Sequence, residues 1–332
     1  MKSGRVETEA MAAHAAKITL TLGTRPSLLA RRQTEMVAQL LQAAWPELSV
    51  VTRVYATRGD REAQRPLPEI GGKGLFTAEI EAALRSGEID LAVHSLKDLP
   101  ISMEGGLVIG AVPKRAPAYD VFISRHRVEL KALPPAPRIG TSSLRRAAQL
   151  RALRPDAEII NLRGNLDTRL RKATMPDYDG VVIAAAGLVR LGLEAHITHP
   201  FSYEEMLPAP AQGALAVQCR ADDAVALRLL RPIHHIPTWA AVTAERAFLS
   251  GLGGGCAAPV AAYAEPCNAN PTILWLRGMV ASLDGQQMVR VAGEGDISQP
   301  QELGYRLAEE ALARGAAELL PTRGRMTVTS GT

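Results

Sequence analysis

A chain of 332 residues is long enough for two or three domains, each with its own core, and its 47% hydrophobic and 22% charged residues are those of a globular protein. Aromatic residues at 4% argue against a stacking platform for single-stranded nucleic acid. A net charge of +4, from 38 basic and 34 acidic residues spread singly or in pairs, argues against a basic stripe and suits a small polyanionic ligand.

Residues 1–16 mix charges with alanines, lack the apolar core of a signal peptide, and are expected to be a disordered extension. Lys17–Leu22 then reads as a strand, and Ser27 as the cap of a helix carrying Leu29, Val37, Leu40, Leu41 and Ala44. A strand at Ser49–Tyr55, a loop at Gly71–Gly74, a helix from Phe76 to Ser86 and a strand at Ile89–His94 follow. The pattern restarts at Tyr119–Ser124. Strand Arg138–Gly140 leads into helix Ser142–Leu153, strand Glu158–Leu162 into helix Leu166–Lys172, and strand Gly180–Ile183 into helix Ala184–Leu191. This alternation predicts two α/β units with mostly parallel sheets, divided near Pro113–Pro117. Strand Ala214–Cys219 precedes a change of character beyond Pro237. There a helix at Thr238–Ser250, strands near Val260–Ala264, Ile273–Ala281 and Gln287–Ala292, and a helix at Gln301–Glu318 predict a small α+β domain. No run approaches the ~20 apolar residues of a membrane span, so no membrane contact is expected.

In open α/β sheets, ligands sit beyond the carboxyl ends of the strands. Arg25, Lys97, Arg145, Arg146, Arg163 and Arg169 all follow predicted strands, and Thr141, Ser142 and Ser143 open a helix whose N–H groups suit an oxyanion. Each arginine alone reads more readily as a solvated helix charge; together they predict a ligand rich in carboxylates. Asp98 beside Lys97 has the setting of a carboxylate that ionises easily, stabilises a cation and moves protons. Cys256 lies in the glycine-rich run Gly251–Pro259, where a bulky group has room to reach a nucleophilic sulfur. Cys219 reads as core and Cys267 as incidental; the three cysteines have no metal-ligand spacing, leave one unpaired in any disulfide scheme and suggest a reducing, cytoplasmic compartment.

Eight stretches in one order carry a family resemblance: Gly23–Ala30, Gly71–Phe76, Ala92–Asp98, Ile139–Arg146, Asn161–Asn165, Ala186–Gly192, Pro210–Gly213, and Ala244–Phe248 followed by Gly254–Cys256. Over residues 17–320 the chain resembles porphobilinogen deaminases, also called hydroxymethylbilane synthases. The resemblance implies two domains like periplasmic binding proteins, 17–113 with 214–231 and 118–207, and a cofactor-attachment domain at 236–332. It implies a monomeric transferase of tetrapyrrole and heme biosynthesis, whose dipyrromethane cofactor is joined to Cys256 by a thioether. Four porphobilinogen molecules are added with loss of ammonia, through an azafulvene, and hydrolysis releases hydroxymethylbilane. Asp98 is implied as the catalytic group. Lys73, Ser95, Lys97, Thr141, Ser143, Arg145 and Arg146 are implied for the cofactor, and Arg25, Ser27, Arg163, Arg169, Arg190 and Gln212 for substrate and elongation. Some members have a lysine where this chain has Glu69, so no cation role transfers there. The rival reading is a two-domain protein that holds an anion without chemistry; it has no use for Cys256. A nucleic-acid binder is disfavoured by composition.

Overall fold

The computed structural model describes residues 18–62, 74–103, 105–253 and 258–320. The first sheet contains β1 (Thr19–Thr24), β2 (Ser49–Val54), β3 (Leu91–Ser95), β4 (Leu107–Ala111) and β10 (Leu215–Arg220), in the order β2-β1-β3-β10-β4. The second contains β5 (Asp120–Ser124), β6 (Arg138–Gly140), β7 (Glu158–Ile160), β8 (Gly180–Ala184) and β9 (His199–Pro200), in the order β7-β6-β8-β5-β9. The two orders correspond place by place. In each sheet the fourth strand is antiparallel to its neighbours, β10 in the first and β5 in the second. Four of the five strands of each sheet point the same way, in line with the mostly parallel expectation, and the fifth makes each sheet mixed. The reason is topological: the antiparallel strand of each sheet is the one the chain enters by crossing from the other sheet.

Local chemistry accounts for the element boundaries. Ser27 caps helix Leu28–Ala44, its Oγ accepting the Ala30 N–H at 3.3 Å. Ser143 caps the helix Leu144–Leu153, so that helix begins two residues later than the pattern suggests. The expected helix at Gln301–Glu318 is two pieces, Pro300–Ala313 and Ala316–Leu319, parted by Gly315 at φ +91°. Strands β4 and β9 and the helix Ala224–Leu230 had no distinct sequence signal.

The third unit is an antiparallel sheet of β11 (Val260–Pro266), β12 (Ile273–Ala281) and β13 (Met288–Asp296), packed on the helices Ile236–Gly251 and Pro300–Ala313. Among the described residues no helix is long and apolar enough to cross a membrane.

The crossovers between the sheets, from β4 to β5 and from β9 to β10, run side by side. Ala116 donates its N–H to the Gly213 carbonyl at 3.1 Å, and Arg115 Nε to the Gln212 carbonyl at 2.7 Å. Gly213 has φ +87°, and a Cβ there would collide with the Ala116 carbonyl, so only glycine allows this approach. Glu245, fully buried on helix Ile236–Gly251, fastens the pair to the third unit. It accepts both Arg115 terminal nitrogens, at 2.6 and 3.0 Å, and the N–H groups of Ala211 and Ala264 at 2.5 and 2.8 Å. Replacing Glu245 with alanine strands a half-buried guanidinium and two amides. Denaturant unfolding of Glu245→Ala should show stability lower by about 3–5 kcal/mol; a loss below about 1 kcal/mol would mean the crossovers are held by other contacts.

Candidate active site

Strand β3 ends in the 3-10 turn Leu96–Asp98. Leu96 and Leu99 are buried against Val112, Ala211, Ala214 and Val242, which leaves Lys97 half-buried and Asp98 exposed. The turn is tied to the returning crossover, because Leu96 donates its N–H to the Ala214 carbonyl at 3.0 Å.

A chain of polar contacts leads inward from this turn. Lys97 Nζ donates to Gln212 Oε1 at 3.4 Å. Gln212, fully buried, donates from Nε2 to the Ala118 carbonyl at 2.6 Å and to Asp120 Oδ1 at 2.9 Å. Asp120, also fully buried, meets Arg146 Nη2 at 2.7 Å and Nε at 3.1 Å, and Arg145 Nη1 at 2.8 Å. The remaining donors are largely engaged as well: Arg145 Nη1 with the Leu207 carbonyl and Arg146 Nη1 with the Val182 carbonyl. One carboxylate thus gathers two guanidiniums, an amide and, at one remove, an ammonium.

This arrangement revises the charge count. Arg145 and Arg146 are not outward-facing cations; Asp120 balances one of their two charges inside the protein. Burial alone would raise the Asp120 pKa, but Arg145 and Arg146 outweigh it and hold the carboxyl well below the usual range. Lys97 is lowered to about 8, by burial first and then by the positive charges of Arg146 and Arg145, against the opposing pull of Asp98 and Asp120.

Further cations border this cluster. Arg169, on helix Leu166–Ala173, donates to the Gly164 carbonyl at 2.9 Å. Burial and the charges of Arg146 and Arg163 lower it to about 10, with Asp98 pulling the other way. Burial also lowers the half-buried Arg163. Arg190, on helix Ala185–Leu191, reaches the Gly213 carbonyl at 2.7 Å and is lowered to about 10 by burial. All three remain charged at neutral pH.

Arg25 stands apart. It forks onto Asp60, with Nη2–Oδ1 at 2.5 Å and Nε–Oδ2 at 3.2 Å, and lies 4.4 Å from the centre of the Phe76 ring. Burial would raise the Asp60 pKa, but Arg25 and Thr57 overcome it and leave it lowered. Ser27 is occupied as a helix cap, Ser95 Oγ accepts Gln33 Nε2 at 3.1 Å, and buried Thr141 accepts the Ser143 N–H at 3.2 Å. Lys73, Glu69 and Cys256 lie outside the described residues.

Asp120, Asp60, Arg115 and Glu245 escaped the sequence reading. A usable signal existed for Asp120: it opens the apolar strand Asp-Val-Phe-Ile-Ser, and an acid buried at the head of such a strand requires a cationic partner.

Residues 20–228 match the family described as porphobilinogen deaminase, dipyromethane cofactor binding domain, and residues 239–313 match its C-terminal domain. The chain belongs to the porphobilinogen deaminase family. It is 49% identical to the porphobilinogen deaminase of Roseiflexus sp. (strain RS-1) over 304 residues, covering 92% of this chain and 99% of that one. Against the porphobilinogen deaminase of Moorella thermoacetica the identity is 48% over 303 residues, covering 91% and 96%. Among solved structures, the periplasmic aliphatic sulphonate binding protein SsuA from Escherichia coli overlaps with a TM-score of 0.38 at 14% identity, over 70% of each chain.

The residues present fit the dipyrromethane cofactor that the family's first domain is named for. Arg145 Nε and Arg190 Nε are buried without a hydrogen-bond partner, and such orphaned guanidinium donors suit a ligand bearing carboxylates. The charge of Lys97 is open to test. Because its pKa is lowered to about 8, the site loses a cation as pH rises through that value. Calorimetric titration with pyromellitate, a benzene ring bearing four carboxylates, should show affinity falling between about pH 7 and 9 in the wild type. It should stay level in Lys97→Arg, whose guanidinium does not titrate there. A wild-type affinity that is flat across this window would remove Lys97 from the ligand's surroundings.

Proposed function

We propose that the chain condenses four porphobilinogen molecules onto an enzyme-bound dipyrromethane primer, with loss of ammonia, and releases hydroxymethylbilane by hydrolysis. The observation that carries this reading is the family match across both residues 20–228 and 239–313. In domain terms the proposal assigns 17–113 with 214–231 to a first α/β domain, 118–207 to a second and 236–332 to the domain that holds the cofactor, acting as a monomer in the cytoplasm.

Cys256 is the proposed attachment residue. Two features support it. Cys219 is fully buried in the first sheet's core, where burial pushes its thiol up to about 11, so it is a poor nucleophile. Cys256 follows closely on helix Ile236–Gly251, whose Val242 packs against Leu96 and Leu99, the residues that anchor the Asp98 turn. When bound, the cofactor supplies the nucleophilic pyrrole carbon to which the first substrate is joined.

The protein's part is to place and neutralise charge. Each pyrrole carries an acetate and a propionate, and Lys97, Arg145, Arg146, Thr141, Ser143, Ser95 and Lys73 are assigned to those of the cofactor. Arg25, Ser27, Arg163, Arg169, Arg190 and Gln212 are assigned to the incoming unit and the growing chain. Asp98 does the chemistry. As the substrate's C–N bond breaks, ammonia leaves with the bonding pair and the pyrrole nitrogen donates density to the exocyclic carbon. The exposed Asp98 carboxylate lies against the resulting cation and stabilises it. After the new C–C bond forms, the attacking α-carbon of the chain's terminal pyrrole sheds its proton to restore the aromatic ring, and a carboxylate at this position is suited to move it. Lys97 is the neighbour of Asp98 in the turn, and the cluster on Asp120 fixes Lys97 through Gln212.

Intact-mass analysis tests the attachment. The wild type should carry an excess equal to two condensed porphobilinogen units, and Cys256→Ser none. A wild type at bare polypeptide mass that takes up nothing from porphobilinogen or preformed hydroxymethylbilane would favour the anion-binding reading. Asp98→Asn should keep the mass excess and lose about 10²–10⁴-fold in kcat; a loss under about tenfold in porphobilinogen consumption would move the proton chemistry elsewhere.

A further inference from the structure

Helix Ile236–Gly251 touches the first sheet's side of the molecule at one charged point that the family's chemistry does not explain. Glu245 and Arg246 are neighbours, so they leave the helix about 100° apart. Glu245 turns inward to the crossovers, and Arg246 turns to the segment carrying Asp98. Its guanidinium donates to four main-chain carbonyls of that segment: Nη1 to Leu99 at 3.1 Å and Leu96 at 3.5 Å, Nη2 to Pro100 at 2.6 Å and Ile101 at 3.3 Å. The Leu96 carbonyl already accepts the Leu99 N–H at 3.2 Å, and Arg246 adds a second donor to it. The carbonyls of Leu99, Pro100 and Ile101, just past the turn, take their donors from Arg246, in a different part of the fold.

Asp98 sits in the middle of this clamp. The carbonyls of Leu96, two residues before it, and Leu99, directly after it, are both held by Arg246 Nη1. The apolar contacts agree: Trp239 and Val242, on the same helix, pack with Leu96 and Leu99 beneath the turn. Four hydrogen bonds and the apolar packing of Trp239 and Val242 therefore join one helix to this segment, while Asp98 itself is exposed.

We propose that Arg246 is a positioning residue for the reaction: it fixes the main chain on both sides of Asp98, so that the carboxylate meets the reacting pyrrole in one orientation. The inference rests on the proposed function, in which Asp98 carries the chemistry. A planar fork with five donors spans several carbonyls at once, whereas a lysine ammonium satisfies them from a single point.

The test compares wild type, Arg246→Lys and Arg246→Ala as holoenzymes, with the mass of each recorded before assay. In Arg246→Lys, kcat for porphobilinogen should fall about 10- to 100-fold with KM within about threefold of wild type and the cofactor mass retained, since misplacement by an ångström or less is enough for such a loss. In Arg246→Ala, millimolar guanidinium ion should restore part of the lost kcat, and ammonium ion should not. A kcat for Arg246→Lys within about twofold of wild type overturns the proposal. So does a loss that appears as missing cofactor mass, which would place the effect of Arg246 on the attachment segment. Should Arg246→Ala fail to fold, the lysine variant decides alone. Wild-type protein inert toward porphobilinogen overturns the functional reading, and this inference with it.

Discussion

Asp120 is a carboxylate with no access to water, and it survives ionised only because two guanidiniums and an amide converge on it. The dependence runs in both directions. Arg145 and Arg146 are equally buried, and two like charges at that depth repel each other unless an anion lies between them. With Asp120 in place the group carries a net charge of +1 before Lys97 is counted. The site is thereby biased toward anions without exposing bare cations to solvent. Gln212 extends the same network to Lys97, which lies in the turn that presents Asp98. The turn carrying Lys97 and Asp98 is thus tied to an ion cluster at the head of β5.

The cluster also explains why the crossovers matter. Asp120 opens the strand that the chain enters on leaving the first sheet, and Gln212 lies on the segment by which it returns. The two halves of the network therefore belong to opposite crossings. Gly213 permits their backbones to touch, and Arg115, on the outgoing crossing, bonds both to the Gln212 carbonyl and to Glu245. Helix Ile236–Gly251 reads both features, the crossings through Glu245 and the Asp98 turn through Arg246.

The five-stranded sheets share one order, yet their cations are used differently. After β1, Arg25 forks onto Asp60 and stacks on Phe76, at the rim. After β6, Arg145 and Arg146 turn inward. The corresponding place in the fold therefore faces the segment around Thr57–Glu62 in one half and the protein interior in the other.

Much of this was legible in the sequence. Helical spacing, capping serines and apolar runs placed most strands and helices within a few residues, because those features act between neighbours in the chain. The glycine, arginine and Asp98 motifs pointed to the family. What the sequence left open was partnership. It offered 38 basic and 34 acidic residues and no rule for matching them. Asp120 meets Arg146 across 26 positions, Arg115 meets Glu245 across 130, and Arg246 reaches Pro100 across 146. Such pairs form because the fold removes both members from water together, and only the tertiary structure decides which groups are removed together.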